Sequence, residues 1–101
     1  MNKKVVNRVL ERSKGLCELC ESHDRVQLHH ILGGNGKRKQ HETAQSVIAL
    51  CYDHHHGTYG VHGKNGHELS LTLKQNLQQT YFNMGYTEEE VKRLMGGKFY
   101  D

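Results

Sequence analysis

Apolar side chains recur at Val5, Val6, Val9 and Leu10, while Lys3, Lys4, Arg8, Glu11 and Arg12 fill the positions between and beyond them. That spacing predicts an amphipathic helix over residues 3–14, stopped by Gly15, a residue suited to the left-handed conformation that ends helices. Residues 21–25 are polar and read as a loop. Val26, Leu28 and Ile31 predict a short strand that carries His29 and His30. Val47, Ile48 and Leu50 predict a second strand, returning antiparallel to the first. The stretch between them, residues 33–45, is polar and rich in glycine; loops of that length in a small domain are functional or disordered. Residues 52–62 read as a short helix or turn punctuated by Gly57 and Gly60, and Asn65-Gly66 is a turn signal. Leu73, Leu77, Tyr81 and Met84 then recur at helical spacing, with Ser70 or Thr72 as the N-cap and Gly85 as the stop. Thr87 and Glu90 have the spacing of a capping box, with Tyr86 and Val91 placed for the accompanying hydrophobic staple. Val91, Leu94 and Met95 form the buried side of this last helix, which Gly96-Gly97 ends. All these apolar stripes read as core.

A chain of 101 residues with 35% hydrophobic positions is one small domain with a marginal core. Such domains draw on a metal or on disulfides for stability. There are three cysteines and nine histidines. An odd cysteine count without a signal peptide argues against a disulfide framework. No apolar run has membrane-spanning length, so a soluble, intracellular chain without membrane contact is expected. The formal net charge of +3 is compatible with a polyanionic partner and equally with an ordinary solvated surface. Lys37, Arg38 and Lys39 could contact phosphates; a merely solvated loop is the other reading. There are no internal repeats or linkers. No dimerisation element stands out, which is compatible with a monomer, although the C-terminal helices could serve as one.

Cys17 and Cys20 form a C-x-x-C, and Cys51 is followed three positions later by His54. The two pairs have the spacing of zinc knuckles, each placing two ligands on one turn, and zinc favours four tetrahedral sulfur or nitrogen ligands in structural sites. One ion on these four residues would close the long intervening segment and turn ligand-binding energy into folding energy. His55 or His56 could replace His54 in the set. The bland alternative is three reduced cysteines acting as small hydrophobes.

Leu28-His29-His30-Ile31 is an unusual strand. Successive side chains point to opposite faces, so His29 and His30 cannot share one wall unless the backbone bends there. The pair suits a site in which one imidazole holds a metal while its neighbour works on water from another direction.

Taken together, the C-x-x-C, Leu28-His29-His30-Ile31 and Leu50-Cys51-x-x-His54-His55 resemble the HNH endonucleases of the ββα-metal group, and more narrowly their small bacteriophage and prophage members. The resemblance spans roughly residues 17–62. It implies an α+β fold: a small zinc-stabilised ββα-metal core of two short antiparallel strands and a helix. An N-terminal helix over 1–16 and a helical extension over 68–101 would complete a single nuclease domain. It makes His29 a ligand of a catalytic divalent ion, His30 the general base and His55 a second ligand. Two positions depart from the pattern. Many members carry a further histidine one turn beyond the first helix ligand, where this chain has Tyr59. The next candidate is His62, with His56 and His41 as substitutes. In a continuous helix the seven residues from His55 to His62 would advance about 10 Å, so Gly57 and Gly60 would have to bend the chain back. The second departure is Ser46, standing where the family's central Asn braces the loop; its hydroxyl can make fewer of those hydrogen bonds.

The resemblance thus implies a metal-dependent endonuclease acting on DNA, expected to be duplex, in the cytoplasm of a bacterial host. Its cofactors would be a structural zinc and one catalytic ion drawn from magnesium, manganese, nickel, cobalt or zinc. The alternative is a non-catalytic, zinc-stabilised module for nucleic-acid binding or assembly.

Overall fold

The computed structural model describes residues 1–33 and 41–101. The basic run Lys37, Arg38 and Lys39 lies outside the described residues. The elements are α1 (Lys3–Ser13), β1 (Gln27–His30), β2 (Val47–Leu50), α2 (Tyr52–His56), α3 (His67–Asn83) and α4 (Glu88–Leu94). Among the described residues the fold is α+β, with four helices and one two-stranded antiparallel sheet.

Helix α1 starts where the Asn2 side chain accepts the Lys4 amide hydrogen, and stops at Lys14, whose φ of 57° is left-handed. Val9 is fully buried against Val47 and Ala49, with Val5 packed beside it. Leu10, expected on the buried face, is 43% exposed. A sheet of two short strands is narrow, and it covers only the Val5–Val9 stripe of the helix. Arg12 ties the elements together. Its guanidinium donates to the carbonyls of Ala44 and Val47, both at 2.7 Å, and pairs with the Glu18 carboxylate, which in turn accepts the Ala49 amide hydrogen.

In the sheet His29 lies opposite Ile48 and His30 opposite Val47. Directly paired residues share a face. His29 is therefore on the Ile48 side, toward the C-terminal helices, and His30 on the Val47 side, toward α1. The strand ends at His30; Ile31, expected to extend it, instead falls in a bend and enters the core.

Helix α2 is a little over one turn long, shorter than the 52–62 reading. Beyond Gly57 the chain turns back on it. The Val61 and His62 amides donate to the carbonyls of His54 and His55, each at 2.9 Å. This return needs glycines: a Cβ on Gly60 would lie 2.6 Å from the Asp53 carbonyl oxygen, and one on Gly63 would collide with the Gly57 carbonyl.

Helix α3 begins at His67 behind Gly66, with no side-chain cap. Ser70 and Thr72 are thus interior positions rather than caps, because the returning chain delivers the Gly66 carbonyl directly to the Ser70 amide. Met84 is exposed, beyond the reach of the core. At α4 the capping box of Thr87 and Glu90 is present in both directions. Tyr86 stays 38% exposed and meets Tyr81 edge-on, with ring centroids 6.0 Å apart.

Leu73, Leu77 and Tyr81 of α3 pack with Val91 and Met95 onto Ile31 and Leu32. Val9, Val47 and Ala49 make a second cluster, and Cys17, Leu50 and Cys51 a third. Each fully buried aliphatic side chain contributes about 1.5–3 kcal/mol. Ile48 and Val61 pack against both the first and third clusters and Val26 against the second and third, so the cluster that contains Cys17 and Cys51 links the other two. No helix of the described residues is long and apolar enough to cross a membrane.

Candidate metal centre and histidine cleft

The backbone brings the two knuckles together. The turn after Cys17 and the start of α2 place Cys17, Cys20, Cys51 and His54 so that one donor atom from each lies within 4.8 Å of all the others. The separations are 3.7 Å for the sulfurs of Cys20 and Cys51, 3.3 Å from Cys51 Sγ to His54 Nδ1 and 3.6 Å from Cys17 Sγ to His54 Nδ1. A tetrahedral zinc with bonds of about 2.3 Å to sulfur and about 2.0–2.1 Å to nitrogen has edges of about 3.8 Å between sulfurs and about 3.5 Å between sulfur and nitrogen. The four residues fit zinc in number, chemistry and spacing.

Their electrostatics agree. Burial opposes ionisation of Cys17, but the backbone hydrogen bonds from Cys51, Leu19 and Cys20 outweigh it and lower the thiol from 9.0 to about 6. The Ser22 amide pulls Cys20 down, yet burial and the neighbouring Cys51 and Cys17 sulfurs leave its pKa raised. Without a cation, Cys17 ionises at the expense of Cys20; a dication removes that conflict.

A second cluster lies behind the first. His29 from β1, His55 from α2 and His62 from the returning chain bring one nitrogen each within 4.8 Å of one another. Their ring centroids are 4.8–5.3 Å apart. His55 is buried, and its pKa is lowered first by that burial and then by His56 and His62. The neutral imidazole so favoured is the form that can ligate. Gln27 Oε1, 3.0 Å away, accepts the Nδ1 hydrogen of His55 and leaves Nε2 as its donor atom. His56 lies at the rim, its ring 4.1 Å from that of His55, and Tyr59 is 71% exposed. Neither His56 nor His41 is part of the gathered set.

His30, on the opposite face of the strand, is not one of the three gathered ligands, although it borders the same cleft as they do. Its Nε2 is 2.6 Å from Glu42 Oε1. Burial works against ionisation of Glu42, but the hydrogen bonds from His30 and from the Asn2 amide prevail and hold its pKa below the usual value. A carboxylate can only accept, so His30 carries a hydrogen on Nε2. The turn bearing Glu42 is fastened on several sides. Ser46 is buried; its hydroxyl accepts the Thr43 amide hydrogen and reaches the carbonyls of His41 and Thr43. The Ser46 carbonyl accepts from the Ile31 amide, and Thr43 Oγ1 lies 2.6 Å from the Tyr81 hydroxyl of α3.

A cleft of about 390 Å³ is bordered by His29, His30, His55 and His62 and also by Ser70 and Lys74 of α3. Nothing in the sequence singles out Gln27, Glu42 or Lys74 as site residues, and Ser70 stands out there only as a candidate helix cap. Lys37, Arg38 and Lys39 lie outside the described residues. The chain matches no protein-family model, curated protein or solved structure.

Proposed function

We propose that this chain is a metal-dependent DNA endonuclease of the HNH, ββα-metal kind, hydrolysing phosphodiester bonds. The observation that carries the reading is the convergence of His29, His55 and His62 beside a fourth histidine, His30, that borders the same cleft and pairs with a carboxylate. The sequence motifs resemble that family over the residues that build both clusters.

His29, His55 and His62 would hold the divalent ion, which when bound supplies positive charge to the phosphate and the leaving 3′ oxygen. His30 does the proton chemistry. Glu42 keeps the hydrogen on Nε2, so Nδ1 takes a proton from water as the water oxygen bonds to phosphorus. The bond from phosphorus to the 3′ oxygen breaks, and that oxygen is protonated from solvent. The cluster of Cys17, Cys20, Cys51 and His54 would hold a structural zinc, which would fix α2, and so His55, against β1.

Relaxation of supercoiled plasmid by zinc-loaded protein, with added magnesium or manganese, tests this. Wild type should nick or linearise the plasmid, and His30→Ala should be slower by about 10²–10⁴-fold. DNA retention without metal-dependent scission would favour the non-catalytic binding module. Equal cleavage by both proteins would remove His30 from the chemistry.

A further inference from the structure

Resting on the endonuclease reading, we infer that Lys74 and Ser70 of α3 form a phosphate-holding site in the wall of the histidine cleft, gripping the nucleic-acid backbone beside the bond to be cut. These residues belong to the C-terminal helical segment, outside the stretch that resembles the nuclease motifs. They are four positions apart and so lie on the same face of α3. Both border the cleft that His29, His30, His55 and His62 also border. None of the residues described as lining the cleft is acidic. Its polar lining is imidazole, one hydroxyl and one ammonium, a set that selects anions. Among the described residues Lys74 has no carboxylate partner; its ammonium sits 5.3 Å from the Tyr100 ring centroid. Tyr100 is itself anchored, its backbone amide and carbonyl bonded to the two ends of the Gln78 side-chain amide at 2.8 and 3.1 Å. The same ring also meets Lys98, whose ammonium is 4.8 Å from its centroid. A half-buried ammonium that has no carboxylate partner among the described residues, and that borders a cleft whose described lining is free of acidic residues, is placed to meet a phosphate, and a hydroxyl one turn away can donate to the same group.

The test uses zinc-loaded, full-length protein and two readouts. In NMR titrations with inorganic phosphate, amide shifts should centre on residues 70–74 in wild type and vanish in Lys74→Ala. In cleavage of a duplex oligonucleotide, Lys74→Ala should raise KM by about tenfold with kcat changed far less. It should also lower the slope of log affinity against log salt by about one. Lys74→Arg should recover most of the loss, and Ser70→Ala should show a smaller one. Normal thermal melting of each variant separates these effects from misfolding. Cleavage with unchanged KM and salt dependence in Lys74→Ala overturns the phosphate site and leaves the nuclease reading standing. Phosphate shifts at Lys74 in a protein that never cleaves DNA keep the anion site and overturn the nuclease reading.

Discussion

His54 and His55 are neighbours on α2, yet they serve different clusters: His54 Nδ1 lies 3.3 Å from Cys51 Sγ, whereas His55 joins His29 and His62. One step along a helix turns a side chain by about 100°, and that turn separates the two clusters and, on the proposed reading, a structural role from a catalytic one. Alanine at the two positions should therefore give opposite phenotypes. His54→Ala should lose zinc on elemental analysis and melt well below wild type, because metal-binding energy is folding energy in domains this small. His55→Ala should keep its zinc and melt within about 4–8 °C of wild type, the equivalent of roughly 1 kcal/mol, while losing cleavage.

On the proposed reading Glu42 acts through His30, by holding the hydrogen on Nε2. In Glu42→Gln the amide can donate to Nε2 and stabilise the tautomer that has no lone pair on Nδ1. Cleavage should fall by about 10–100-fold, the usual effect of removing a group that orients a functional histidine, with KM for DNA nearly unchanged. Glu42→Asp should recover part of the rate if its shorter side chain still reaches Nε2. A Gln variant as fast as wild type would assign the 2.6 Å contact to folding alone.

The Cys17 thiol, lowered from 9.0 to about 6, makes a claim about metal-free protein. A group whose pKa is depressed on folding contributes stability that is complete above its unfolded value and is lost as pH falls through its folded value. Reduced, zinc-free protein should therefore grow less stable to urea as pH drops from 9.0 toward about 6. In Cys17→Ser that part of the pH dependence should disappear. Comparing urea midpoints across this range checks both.

The return of the chain onto α2 depends on backbone contacts that leave no room for a methyl group. Gly60→Ala should cost about 1–3 kcal/mol, the range for overpacking a tight site. It should also push His62 away from His29 and His55. Weaker binding of the second metal, with zinc content unchanged, would show that displacement.

What the sequence revealed was set by local chemistry. The capping box at Thr87, the pairing of the two strands and the ligand spacing of Cys17, Cys20, Cys51 and His54 each follow from residues a few positions apart or from repeating patterns. The fold-back of His62 was legible only as a need, through Gly57 and Gly60. Leu10 and Met84 continue their apolar stripes, and nothing local says that the sheet and the helical core stop short of them. Glu42, Gln27 and Lys74 were not legible. Each matters through a partner brought near by tertiary packing: His30 at the end of β1, His55 on α2, and the cleft that α3 closes.

Binding of a second ion tests the central claim most directly. Manganese titrated calorimetrically into zinc-loaded protein should bind at one further site per chain. That binding should be abolished by His29→Ala and by His55→Ala and be little changed by His30→Ala. Failure of wild type to take up a second ion, or equal uptake by the His29 and His55 variants, would contradict it.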